Sequence, residues 1–186
     1  MTPQDIYKKA YAAQKRLPEL EPMIVCDIYW SYLYARDVIK GRWSEAEPNI
    51  MQDSCYAYCY AKNVVGGRWL EAETFIMQDA VWSYCYAKDV IKGRWLEAES
   101  IIIQDELYAY FYTRDVIKER WLEAEEIISK SDYKIDYIER FFDEPVITKD
   151  KVDIIEWERK KQFGYFAQDS LFEQKISVLD IMVMEE

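Results

Sequence analysis

The chain has 186 residues, 51% of them hydrophobic and 16% aromatic, enough to bury a core and too apolar for a disordered tail. Its formal charge of −11 argues against a sequence-independent grip on nucleic-acid phosphate, which depends on Lys and Arg displacing counterions. It contains no histidine, the side chain most used as a general base near neutral pH and the commonest metal ligand, so histidine chemistry is excluded outright.

The first residues, MTPQDIYKKAYAAQKRL, carry no apolar signal core, and no run approaches the roughly 18 apolar residues of a membrane span. A soluble, cytoplasmic protein with no membrane association is the expectation. Next comes a degenerate copy of a repeat: RLPELEPMIVC, Arg16 to Cys26, matches RWSEAEPNIMQ, Arg42 to Gln52, with Leu17 in the place of Trp43. Residues 1–26 are therefore a first, capping unit.

Four full units follow without a gap, at 27–52, 53–78, 79–104 and 105–130, with Trp43, Trp69, Trp95 and Trp121 spaced 26 apart. Each predicts two helices. Asp27, Asp53, Asp79 and Asp105 stand where an N-cap of helix A belongs, and Gly41, Gly67 and Gly93 where a left-handed residue would end it. Glu119 takes that place in the fourth unit, so there either the turn differs or the residue is strained. Helix B follows as the EAE segment, with capping-box spacing at Ser44 and Glu47 and with Ile50, Ile76, Ile102 and Ile128 facing the core. Along helix A, Trp30, Tyr34 and Val38 with Ser31, Ala35 and Ile39 form a broad face. Ala35, Ala61, Ala87 and Thr113 are small enough for close approach. Such units bury their faces only by stacking. The expected fold is all-α, an α-solenoid of 26-residue two-helix repeats over 1–130 with a helical C-terminal cap over 131–186.

The period ends after Lys130. SDYKIDYIERFF still reads as a helix A, Pro145 interrupts, and 149–163 reads as an amphipathic helix ended by Gly164. Ser170 and Glu173 have capping-box spacing ahead of Phe172, Ile176, Leu179 and Val183, a last helix over the open end of the array. This cap is acidic, with 14 acidic and 8 basic side chains.

The strings YARDVIKGRWSEAE, YAKDVIKGRWLEAE and YTRDVIKERWLEAE resemble a helical-repeat family of predicted bacteriophage and related viral proteins built from tandem ARDVIKGRWPEAE units. The resemblance covers residues 27–130 and implies an α-solenoid of phage origin, with no established activity and no catalytic residues to transfer. Ser44, Leu70, Leu96 and Leu122 stand where that family often has proline, so helix B is expected to start differently.

Several residue groups invite a chemical reading. The pairs Glu45 and Glu47, Glu71 and Glu73, Glu97 and Glu99, Glu123 and Glu125 resemble acid/base dyads, but residues two apart on a helix do not face each other. A ladder with Arg42, Arg68, Arg94 and Arg120 is the better expectation, with no catalytic residues. Nucleic-acid mimicry is a rival for an acidic chain, but helices stacked about 8–10 Å apart imitate poorly a charge every ~1.7 Å. Cys59 and Cys85 share a column with Leu33 and Phe111 and, like Cys55 one turn before, read as small hydrophobes, so no metal and no cofactor is expected.

The first half of helix A is apolar all round: Tyr29 and Leu33, Cys55 and Cys59, Val81 and Cys85, Leu107 and Phe111 lie opposite the small-residue stripe. Burial between units is one reading. The other is an exposed stripe rimmed by charge, with Tyr32, Tyr58, Tyr84 and Tyr110 as polar-tipped residues beside Arg36, Lys62, Lys88 and Arg114. The functional expectation is binding of a host protein by a phage-encoded effector or inhibitor in the host cytoplasm, an anti-defence role included, without direct nucleic-acid binding. An enzyme would need a pocket of convergent, non-repeated polar residues.

Overall fold

A computed structural model describes residues 1–142, so the expectations for Pro145, 149–163, Gly164 and the final helix lie outside the described residues. The protein is all-α, and its described part falls into two compact units, 1–102 and 103–142. No helix of the described residues is long and apolar enough to cross a membrane.

The first unit holds α1 (Pro3–Ala13), α2 (Glu21–Ile24), α3 (Ile28–Tyr34), α4 (Glu47–Ile50), α5 (Ser54–Tyr60), α6 (Leu70–Ile76), α7 (Ala80–Tyr86) and α8 (Leu96–Ile102). Helices A lie against their successors, α1 on α3, α3 on α5 and α5 on α7, while each helix B folds back beside its own or the following helix A. The second holds α9 (Glu106–Tyr112), α10 (Glu125–Ile128) and α11 (Lys134–Phe141). The stretch SDYKIDYIERFF thus supplies a helix, as its pattern predicts.

The predicted N-caps form. Asp27 accepts from the Trp30 amide at 3.0 Å, Asp53 from Tyr56 at 3.0 Å, and Asp79 and Asp105 each accept from two amides. Much of the predicted core forms: Ile50, Ile76, Ile102 and Ile128 are fully buried, as are Tyr34, Ser31 and the small residues Ala35, Ala61, Ala87 and Thr113, with Ile24 joining them, while Trp30, Val38 and Ile39 of the same face stay half-buried. Serine at such a contact still satisfies its hydroxyl, since Ser31 donates to the Ile24 carbonyl at 2.8 Å and so ties α3 to α2.

The end of helix A differs from expectation. Each helix widens into one π-helical turn, at Ala35–Ile39, Ala61–Val65, Ala87–Ile91 and Thr113–Ile117. The left-handed residue falls one position earlier than predicted, on Lys40 (φ 57), Gly66 (φ 73), Lys92 (φ 60) and Lys118 (φ 62). The wide turn is the cause: the amides of Gly66 and Gly67 both donate to the carbonyl of Ala61, so the chain has reversed before Gly67 is reached. Gly41, Gly67 and Gly93 have no left-handed φ, and a Cβ there would meet nothing within 4 Å. That is why Glu119 fits the same place without strain. Gly93→Ala is accordingly expected to raise stability by about 0.4–1 kcal/mol, and Gly66→Ala to lower it by about 1 kcal/mol. Thermal unfolding of the two variants checks the assignment.

Two further expectations change. The Ser44 and Glu47 capping box does not form, because Glu47 is held by Arg42 and Ser44 bonds Glu45. Here α4 begins at Glu47 with Pro48 in its first turn, whereas α6 and α8, which lack that proline, begin earlier at Leu70 and Leu96. Proline accounts for the late start of α4, where a helix begun at Ser44 would lack the Pro48 amide, but not for α10, which also begins at Glu125 after a 3-10 turn at Leu122–Ala124 although Glu126 stands where Pro48 does. The degenerate first unit is also more complete than its sequence suggests. Helix α1 is its helix A, capped by Thr2, and Gln14 (φ 49) occupies the left-handed place of Lys40.

Candidate interaction surface

The repeated polar residues form two sets of links between neighbouring units. In the first, Arg42 grips Glu47 with both Nε and Nη2 at 2.7 Å, and the same carboxylate accepts the Tyr60 hydroxyl of the following unit at 3.0 Å. That hydroxyl in turn accepts the buried backbone amide of Trp43 at 2.6 Å. The set recurs as Arg16, Glu21, Tyr34 and the Leu17 amide, and as Arg68, Glu73, Tyr86 and the Trp69 amide. In the second compact unit it appears as Arg120, Glu125, Tyr137 and the Trp121 amide. Tyr137 stands one place short of the 26-residue register, so the link outlasts the repeat that encodes it.

Only the second Glu of each pair takes part. Glu45, Glu71 and Glu97 are exposed, and each acts on the Arg of the preceding unit through space. The chemistry of these residues is pairing: each guanidinium is chelated by one carboxylate and neighboured by a second. The Arg42 bond holds the Glu47 carboxyl below its ordinary range, and Arg16 does the same for Glu21. Glu125, fully buried, is raised instead, because its desolvation outweighs Arg120 and Tyr137.

The second set absorbs the tyrosines expected as exposed tips. Tyr32, Tyr58, Tyr84 and Tyr110 are between 2 and 8% exposed. The Tyr58 hydroxyl donates to Asp89 at 2.5 Å, and Lys62 bonds both that carboxylate (2.7 Å) and the hydroxyl (3.1 Å) while lying over the Tyr58 ring. Burial, with Asp89, pushes Tyr58 up to about 12. Tyr32 accepts from Asn63 at 2.9 Å and from Arg36, whose charge pairs with Asp37; Tyr7 donates to Asp37 at 2.8 Å. Lys88 covers Tyr84, and Arg114 covers Tyr110 and Phe111 while pairing with Asp115. Tyr110 also donates to Asp136. Tyr32, Tyr58 and Lys62 look like interface residues in sequence and bind the next repeat of their own chain.

The apolar stripe is split between the two readings. Leu33 is buried, Cys55, Val81, Leu107 and Phe111 are half-buried, and Tyr29 keeps 45% of its surface. Tyr29 belongs to a run of ring contacts through Trp30 and Tyr7 to Tyr11 on one side and to Tyr56 on the other. Cys55, Cys59 and Cys85 are half-buried, and burial, with Cys59, pushes Cys55 up to about 11, the behaviour of a packed thiol and not a reactive one. No group of metal-holding side chains occurs among the described residues.

The directions of these shifts set an acid response. Glu21, Glu47, Asp37 and Asp89 have folded pKa values below their ordinary ones, so their stabilisation is complete above the ordinary carboxyl range and is lost as pH falls through the lowered values. Glu125, shifted upward, works in the opposite sense. Helical circular dichroism on heating, followed from about pH 6 to about pH 3, is expected to show a melting temperature that holds and then falls below about pH 4.5.

The most exposed large apolar side chains of the described residues lie elsewhere. Leu70 and Leu96 open helices B at equivalent positions and are 66% and 68% exposed. Sequence reasoning passed over them as helix-start variants. The signal was available: one position holding Pro18, Ser44, Leu70 and Leu96 in successive units tolerates too much to be core. In the first two units the same edge forms a groove of about 340 Å³ lined by Pro18, Glu21, Pro22, Val25, Trp43 and Glu45. Set against protein-family models, curated proteins and solved structures, the chain matches none.

Proposed function

We propose that this is a non-enzymatic, protein-binding helical-repeat protein, encoded by a phage and acting in the host cytoplasm on a host system, anti-defence included. The observation that carries the binding role is the pair Leu70 and Leu96, exposed at matching positions of successive units while the repeat's Arg, Tyr and inner Glu residues are engaged in links. Exposed apolar groups rimmed by charge are the composition of protein interfaces. The phage origin rests on the ARDVIKGRW-type strings.

Affinity capture from bacterial lysate tests this, with and without nuclease, comparing the native chain with a Leu70→Asp/Leu96→Asp variant. A protein retained after nuclease treatment and lost by the variant is the expected result. Recovery of nothing, or recovery only through nucleic acid, overturns the reading. The exposed row Glu19, Glu45, Glu71 and Glu97 favours one rival, nucleic-acid mimicry. Retention of a nucleic-acid-binding protein that duplex DNA displaces would replace interface binding with that reading.

A further inference from the structure

We infer that the helix-B edge of residues 1–102 is a docking groove for a basic polypeptide segment in the polyproline II conformation; the inference rests on the protein-binding reading above. Three observations converge on that occupant: shape, charge and period.

The shape is one groove followed by apolar ribs. One position of the repeat holds Pro18, Ser44, Leu70 and Leu96, of which the two leucines project as ribs, and the groove behind Pro18 is walled by Pro22 and Val25 on one unit and by Trp43 on the next.

The charge along this edge is negative. Arg16, Arg42, Arg68 and Arg94 are each chelated by the inner Glu of their own unit. Glu19, Glu45, Glu71 and Glu97 stand outside those chelates and are exposed, one surplus carboxylate per unit. Lysine or arginine side chains complement that row, and a basic partner also suits a chain of net charge −11.

The period selects the conformation. Helices A of successive units pack directly on one another, so the units recur at an ordinary helix-packing distance of about 8–10 Å. Polyproline II returns to the same face every three residues at about 3.1 Å each, or roughly 9 Å. A β-strand returns every two residues, at roughly 6.6–6.8 Å, and an α-helix every ~5.4 Å, both out of step with the ribs. A segment with a basic residue at every third position would meet successive Glu side chains while its proline or leucine residues seat between the ribs.

The test uses the full chain and a fluorescent peptide of about five Lys-Pro-Leu triplets. Controls are the Glu-Pro-Leu analogue, a strand-like alternating Lys-Leu peptide, and a peptide of the first composition with its lysines clustered. Anisotropy should show binding of the triplet peptide above all three controls. Binding should weaken at least about tenfold in Leu70→Asp/Leu96→Asp and in Glu71→Lys/Glu97→Lys, and should be unchanged in Tyr29→Ala. All the altered side chains are exposed, and circular dichroism verifies that the variants fold. Equal binding of the clustered or strand-like peptide, or full binding by the two helix-B edge variants, overturns the inference. A lysate partner that survives both edge variants but is lost with Tyr29→Ala would overturn docking at this edge while leaving protein binding in place.

Discussion

Replacing Trp69 with alanine is expected to lower stability by about 3–5 kcal/mol, the range for emptying a buried aromatic site. Trp69 is 1% exposed and packs against Tyr60 with ring centroids 4.9 Å apart, between α5 and the start of α6. Its neighbours are held by the Arg68, Glu73 and Tyr86 link, so they cannot collapse freely into the space left behind. Trp69→Phe is expected to cost much less than its lost volume suggests. The indole Nε1–H of Trp69 is buried without an acceptor among the described residues, so phenylalanine removes an unpaired polar group along with the packing. Urea unfolding of both variants measures the contrast; equal losses for alanine and phenylalanine would contradict it.

Tyr86→Phe is the second large effect, about 1–3 kcal/mol, the cost of leaving a buried group unpaired. The change is nearly isosteric, so packing against Trp95 stays and the loss isolates the hydroxyl. That hydroxyl accepts the Trp69 amide at 2.7 Å and donates to Glu73 at 3.0 Å, and Tyr86 is fully buried. Phenylalanine would strand the amide in a buried site and remove one of the bonds on the carboxylate. A double-mutant cycle with Glu73→Gln separates the two contributions. Additive losses would mean that the hydroxyl serves the amide alone; coupling of the order of 1 kcal/mol is expected for a shared network. Because each unit touches only its neighbours, the loss should be local, with amide exchange accelerating first on both sides of the Trp69 junction.

Both predictions concern residues whose repetition is visible in the sequence and whose role is not. The 26-residue period, the Asp N-caps and the buried Ile column follow from contacts within a few residues, and periodicity alone is enough to read them. The partner of Tyr58 is 31 residues away and that of Tyr60 is 13 residues back, in opposite directions along the chain. Helical periodicity puts the Tyr60 column on the packed face and the Tyr58 column beside the charges, but it does not show that each hydroxyl reaches a partner in a neighbouring repeat.

The candidate surface was the least legible feature. Arg36, Lys62, Lys88 and Arg114 with their tyrosines resemble a rim of interface residues, yet each lies over a tyrosine of its own helix, and Tyr32, Tyr58 and Lys62 bond the next repeat of the chain. Leu70 and Leu96 resemble core residues by type and are the most exposed large apolar side chains of the described residues. Hydrophobicity states what a residue would gain by burial, not whether the fold supplies a neighbour to bury it.

By itself, then, the sequence determined an all-α chain of 26-residue two-helix units, where each helix A begins, and which isoleucines and small residues close the core. These depend on short-range capping and helical periodicity. Tertiary structure alone decided that helix A ends in a π turn with its left-handed residue on Lys40, Gly66, Lys92 and Lys118, that the inner Glu of each pair serves Arg and Tyr, and that Leu70 and Leu96 stay outside. Each of those depends on what the neighbouring unit presents at the point of contact, which a period measured along one chain does not contain.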